Sequence, residues 1–121
     1  MRVLCIEDHP GQAFVNRSLL SQRLGPGNVL HATDVDGGMQ LICSGPLSGM
    51  LSDWHLGDHT AAELVRAFRV GHPHGLCVVY SSDDSAREEA LSCGAHRFFV
   101  KTTVQSKDIV YAFARALGVD T

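Results

Sequence analysis

The sequence predicts an α/β fold in which a five-stranded parallel sheet is covered by helices on both faces. Three observations predict it. Short apolar runs alternate with segments of helical periodicity five times without interruption, the pattern of repeated βα units joined by right-handed crossovers. The runs are bounded by glycine, proline or polar clusters and are too short to be helices. Finally, several end in polar side chains: Arg2-Val-Leu-Cys-Ile-Glu-Asp8 in two acids, Gly49-Met-Leu-Ser-Asp53 in a third, Leu76-Cys-Val-Val-Tyr-Ser-Ser82 in two hydroxyls, and Arg97-Phe-Phe-Val-Lys101 in a cation.

Taken in order, Arg2–Glu7 is the first strand, and Asp8-His-Pro-Gly11 breaks it with a tight loop. A helix follows over Gln12–Leu24, where Phe14, Val15, Leu19, Leu20 and Leu24 form an apolar stripe and Gly25-Pro26-Gly27 a stop. Asn28–Thr33 is the second strand. Asp34 is placed to cap a helix running to Cys43, a weak one because Gly37 and Gly38 each cost about 1 kcal/mol relative to alanine. The third strand ends at Asp53 and leads through a loop, Trp54–His59, to a helix over Thr60–Val70 with Ala61, Leu64, Val65 and Phe68 at helical spacing. Trp54 is expected at the pocket mouth, partly exposed. Gly71-His-Pro-His-Gly75 reads as loop, with His72 and His74 solvated. Leu76–Ser81 is the fourth strand. Ser85-x-x-Glu88 reads as a capping box for a short helix that ends at Gly94. Arg97–Val100 is the fifth strand, and Ser106 is expected to cap a last helix with Ile109, Val110, Phe113 and Leu117 on one face.

At 121 residues the chain is of single-domain size. It is 45% hydrophobic and 19% charged, and no run approaches the roughly 18 apolar residues of a membrane span. Met1-Arg2 leads directly into a strand, which argues against a signal peptide and for a cytoplasmic protein. A formal charge of −3 without Lys/Arg clusters argues against direct nucleic-acid binding. Cys5, Cys43, Cys77 and Cys93 lack zinc-ligand spacing and read as buried thiols of a reduced compartment.

If the strands are parallel, their carboxyl ends share the sheet edge at which open α/β folds bind ligands. Glu7, Asp8, Asp53, Ser81 and Lys101 then meet in one pocket. Two carboxylates about 4 Å apart repel by roughly 4 kcal/mol at an effective dielectric near 20. Lys101 offsets part of this, and a hard divalent cation with oxygen ligands offsets the rest. The pocket therefore reads as a site for magnesium and a phosphoryl group.

Over essentially its whole length the chain resembles the receiver domain of two-component response regulators. The residues that carry the resemblance are Glu7-Asp8 after strand one, Asp53 after strand three with Leu56 beyond it, Ser81 after strand four, Gly94-Ala95 before strand five, and Lys101 at its end. The phrase Glu-Asp-His-Pro at 7–10 is most similar in style to receivers of LuxR/NarL-type regulators. The resemblance implies a CheY-like, flavodoxin-like fold over residues 1–121 with strand order 2-1-3-4-5. It implies Asp53 as phosphoacceptor from a histidine kinase or histidine phosphotransfer protein. It implies Mg2+ or Mn2+ held by Asp8 and Asp53, by Glu7 through water and by the main-chain carbonyl of His55. Ser81 and Lys101 would contact phosphoryl oxygens, Ser81 and Phe98 would form the switch, and His55 and Asp83 would tune hydrolysis. The implied outputs are a downstream protein or domain reached through the surface formed by the fourth helix, the fifth strand and the last helix, and a phosphorylation-dependent homodimer. No output domain lies within these residues, so a single-domain regulator and one domain of a longer protein both fit.

Several positions depart from the usual pattern. Thr102 stands where proline commonly follows the lysine, leaving the cis peptide usual there unsupported. Gly57 replaces a common proline and is expected to loosen its loop; Ser82 replaces an alanine, and the loop before the fourth helix is short. Alternatives of other classes remain. A pseudo-receiver binding partners without phosphate is opposed by the presence of every site residue. A phosphatase of the haloacid dehalogenase type lacks its second acid, since His55 sits two residues after Asp53. A flavodoxin would find its cofactor phosphate repelled by the strand-end acids. A transition-metal site from Asp53, His55, Asp58 and His59 would need all its ligands from one loop.

Overall fold

The computed structural model describes residues 1–119; Asp120 and Thr121, the end of the expected domain, lie outside the described residues. Strands and helices alternate as β1 (Val3–Ile6), α1 (Pro10–Leu24), β2 (Val29–Ala32), α2 (Val35–Ile42), β3 (Gly49–Asp53), α3 (Ala62–Gly71), β4 (Leu76–Ser81), α4 (Arg87–Cys93), β5 (Arg97–Val100) and α5 (Ser106–Ala116). The sheet order is β2-β1-β3-β4-β5, and every pairing is parallel. The parallel sheet with helices on both faces is the one expected from the alternation, and its strand order is the CheY-like one that the resemblance implies.

Successive residues of a strand face opposite sides of the sheet, and each side has its own core. Leu4, Ile6, Met50, Cys77, Val79 and Phe98 pack with Leu64, Val65 and Phe68 of α3 and Ala90 of α4. Val3, Cys5, Leu51, Val78 and Tyr80 pack with Leu20 of α1 and Ile109, Val110 and Phe113 of α5. Two glycines are explained by close approach. A Cβ on Gly38 would stand 2.8 Å from Leu64 and 3.0 Å from Ile6, and one on Gly49 would stand 2.8 Å from Phe113. The glycine that weakens α2 as an isolated helix is thus what lets it dock on β1 and α3.

Several helix starts differ from expectation. Pro10 and Gly11 belong to α1, not to a loop: His9 is the cap, its Nδ1 accepting from Gln12 N at 3.2 Å, and Pro10 suits the first helical position because its missing N–H is not needed there. Asp34 caps α2 as expected, accepting from Gly37 N at 2.7 Å. The Ser85–Glu88 capping box does not form. Asp83 instead accepts from Ser85 N at 2.9 Å and starts a 3-10 turn at Asp84–Ala86, so α4 begins only at Arg87. Ser106 lies inside α5, and its hydroxyl accepts from Gln12 Nε2 at 2.8 Å.

The segment after Asp53 is more ordered than a loop. His55–Leu56 and His59–Thr60 pair as a small antiparallel ribbon, turned by Gly57 at φ +64°. Glycine therefore closes a tight turn here instead of loosening the chain. Trp54 is 1% exposed, not at the surface; its N–H donates to Tyr80 O and its carbonyl accepts from Ala61 N, both at 2.8 Å, which draws it into the core. His72 is half-buried, not solvated. Its Nδ1 accepts from Leu47 N at 3.3 Å and its Nε2 bonds Ile42 O at 2.8 Å. Cys5 and Cys77 are buried, with burial pushing both thiols up to about 12. Cys43 is exposed and Cys93 half-buried, because both lie toward helix ends. Among the described residues no cis peptide bond occurs, and no helix is long and apolar enough to cross a membrane.

Candidate functional site

The parallel register decides which side chains meet. Ile6 pairs with Ser52 and Asp53 with Tyr80, while Ser81 pairs with Val100. The next residues outward, Glu7-Asp8, Asp53, Ser81 and Lys101, therefore stand along one carboxyl edge. Carboxylate oxygens of Glu7, Asp8 and Asp53 all lie within 4.8 Å of one another, the only such acidic, histidine or cysteine set of three among the described residues. The transition-metal grouping of Asp53 with His55, Asp58 and His59 does not assemble, because the ribbon spreads its two histidines over an exposed turn.

Asp53 is 6% exposed. Its Oδ2 takes the Lys101 ammonium at 3.2 Å, and its Oδ1 accepts from His55 N at 3.3 Å. Glu7 is fully buried. It accepts from the Tyr80 hydroxyl at 2.6 Å through Oε1 and from His9 N at 3.1 Å through Oε2. Burial raises the Glu7 pKa above the usual carboxylate range; the Tyr80 hydrogen bond works against this, and the Asp53 charge adds to it. Asp8 is exposed and accepts from Gly57 N at 3.0 Å. A proline at that position has no such hydrogen to give.

Ser81 is fully buried, and its hydroxyl accepts from Asp83 N at 3.1 Å, leaving its own proton free. Phe98 shares the sheet face of Ser81, since Val79 pairs with Phe98. Its ring is 6% exposed and lies under the Arg87 guanidinium at 5.1 Å. His55, in the ribbon, and Asp83, in the loop after β4, are exposed on either side of the pocket. Hydrogen bonds from Ser85, with a smaller contribution from His55, hold the Asp83 carboxyl below its ordinary range.

Three carboxylates against one ammonium form a donor set suited to a hard divalent cation. Sequence reasoning missed Tyr80, Asn16 and the Gly57 N–H. Tyr80 carried a signal, because a tyrosine inside an otherwise apolar buried strand needs a partner for its hydroxyl.

These features define a doubly wound α/β domain with an acidic, cation-compatible pocket at its carboxyl edge. The chain belongs to the response regulator receiver domain family, whose model matches residues 3–113. No curated protein matches it. Among solved structures it is similar to a CheY-like receiver domain protein from Methanospirillum hungatei, at 18% identity and a TM-score of 0.83, covering 97% of this chain and 93% of that one. The receiver domain of NarL from Mycobacterium tuberculosis is 23% identical with a TM-score of 0.78, over 97% and 95% of the two chains. A response regulator from Burkholderia pseudomallei, solved with a phosphorylated aspartic acid, a calcium ion and citrate, is 19% identical with a TM-score of 0.81, over 97% and 68%.

Proposed function

We propose that residues 1–121 form one receiver domain acting as a phosphorylation-activated switch, with Asp53 as phosphoacceptor. The observation that carries this is the pairing of Asp53 with Lys101 at 3.2 Å inside the Glu7–Asp8–Asp53 cluster. Phosphoryl transfer asks a protein chiefly for positioning and charge neutralisation. An Asp53 oxygen attacks the phosphorus of a phosphohistidine on a sensor kinase or phosphotransfer protein; the P–O bond forms as the P–N bond breaks. Lys101 already touches Asp53 and can follow the charge onto a phosphoryl oxygen. Ser81 contributes its free hydroxyl proton to another.

Asp8 and Asp53 would hold magnesium or manganese directly, with Glu7 through water and the His55 main-chain carbonyl completing the set. When bound, the cation supplies the remaining neutralisation of charge. His55 and Asp83 flank the pocket and would set the rate of hydrolysis.

Ser81 and Phe98 share one face, so a movement of Ser81 toward phosphate changes what lies behind the ring. Phe98 is already inward here, so phosphorylation would stabilise an existing arrangement of the α4-β5-α5 surface; a bias of a few kcal/mol suffices. The output is a downstream protein or domain, with a phosphorylation-dependent homodimer as one route. The reading includes a cytoplasmic location, no direct contact with nucleic acid or membrane, and no turnover beyond the domain's own phosphorylation and slow dephosphorylation.

The test is intact mass after incubation with acetyl phosphate and magnesium, beside Asp53→Asn. Gain of one phosphoryl group by the parent alone is expected. No gain in the parent, together with no response to beryllium fluoride, would favour a phosphate-independent interaction module.

A further inference from the structure

Behind the acid pocket runs a chain of side-chain hydrogen bonds. The Tyr80 hydroxyl donates to Glu7 Oε1 at 2.6 Å and accepts from Asn16 Nδ2 at 2.9 Å. Asn16 Oδ1 accepts from Gln12 Nε2 at 2.9 Å, and the same Nε2 donates to Ser106 Oγ at 2.8 Å. The chain therefore passes from β1 through β4 and α1 to the first residue of α5. Glu7, Tyr80 and Asn16 are 0%, 1% and 2% exposed, so water does not compete for their bonds.

The direction of the chain is fixed. An amide nitrogen only donates, so the Asn16 bond occupies the Tyr80 oxygen as acceptor and commits the phenolic proton to Glu7. The register explains the reach: Glu7, Asp53 and Tyr80 stand in one row across β1, β3 and β4, on the face covered by α1 and α5. The same Tyr80 ring lies 5.2 Å from Lys101 Nζ, within cation–π range. Phenylalanine would fill this space equally well. Only the hydroxyl serves the carboxylate.

We infer that Tyr80 is a positioning residue for the divalent-cation site, its hydroxyl holding one oxygen of Glu7 and so fixing the orientation of that carboxylate beside Asp8 and Asp53. This rests on the reading of the pocket as a cation site. Partners that orient a metal's ligands typically account for 10–100-fold in affinity, and a carboxylate acting through water belongs near the lower figure, so Tyr80→Phe should weaken magnesium binding about tenfold.

The test is calorimetric titration of the metal-free full chain with magnesium alone, on the parent, Tyr80→Phe, Glu7→Gln and the double variant. Tyr80→Phe should bind about tenfold more weakly than the parent. In the Glu7→Gln background the same substitution should change nothing, because an effect exerted through Glu7 disappears with it. Parent-like binding by Tyr80→Phe, or an equal loss in both backgrounds, would overturn the inference while leaving the pocket reading intact. Absence of magnesium binding by the parent would overturn both. If Tyr80→Phe does not fold, Asn16→Ala, which frees the hydroxyl to rotate, should weaken binding in the same direction, and unchanged affinity there would overturn the inference.

Discussion

Without metal the acid pocket is electrostatically strained, and Asp53→Asn should relieve the strain. The Glu7, Asp8 and Asp53 oxygens lie within 4.8 Å of one another. At an effective dielectric near 20, each pair at such a distance repels by roughly 3–4 kcal/mol. Lys101, at 3.2 Å, returns roughly 5 kcal/mol of attraction to Asp53 on the same scale. Two repulsions therefore outweigh one attraction. Asparagine keeps the shape of Asp53 and removes all three contributions together. With part of the gain lost to ionic screening at the pocket mouth, Asp53→Asn should be about 1–2 kcal/mol more stable than the parent.

The assay is urea unfolding in chelator at mildly alkaline pH, which favours the charged form of Glu7 against the burial that raises its pKa. Adding millimolar magnesium should then narrow or invert the gap. A cation that binds only the native parent adds RT ln(1 + [L]/Kd) to its stability, and the asparagine variant gains less. An Asp53→Asn protein no more stable than the parent in chelator, or one stabilised by magnesium to the same degree, would refute the reasoning.

Two further perturbations follow from single contacts. A Cβ at Gly57 meets nothing within 4 Å, and φ there is +64°, so Gly57→Ala should lose only the left-handed backbone cost of about 1 kcal/mol. Gly57→Pro, which can neither hold that φ nor donate to Asp8, should lose about 2–3 kcal/mol; equal urea midpoints for the two variants would show that the Asp8 bond contributes nothing. Burial, with the Arg17 charge second, holds His31 below its ordinary pKa. The unfolded imidazole therefore takes its proton first as pH falls past about 6.5, so the stability tied to neutral His31 is present above that pH and lost below it. Urea midpoints near neutrality and in mild acid should fall less in His31→Leu than in the parent, and an equal fall would remove His31 from the explanation.

The fold was legible because its signals are local and repeated. β4 and β5 begin and end where the apolar runs do, and a parallel sheet with helices on both faces follows from unbroken βα alternation; the strand order is implied by the family resemblance. The strand-end acids and lysine stood out because such groups rarely lie beside buried strands without cause. What escaped the sequence depends on partners distant along the chain. Ser85 has the spacing of a cap, but Asp83 takes the Ser85 N–H that the Glu88 side chain of a capping box would accept. Trp54 looked like a surface ring beside an open loop, until main-chain bonds to Tyr80 and Ala61 drew it inward. His72 finds its partners at Ile42 and Leu47, far away in sequence. Asn16 sits on a helix whose apolar stripe gave no reason to single out one amide.

The pocket also bears on how β4 finds its place. Cys77 and Val79 enter one core while Val78 and Tyr80 enter the other, so the strand is apolar on both faces, and such a pattern specifies register weakly. Moving β4 by one residue would exchange Tyr80 with Ser81. A phenol ring would then stand toward the Phe98 face, and the buried Glu7 carboxylate would lose its hydroxyl donor. Leaving a buried charged group short of a partner costs more than the hydrophobic difference between two nearly equivalent apolar faces. The side chains of the acid pocket therefore help select the pairing of β4 with β3, and the site and its sheet specify each other.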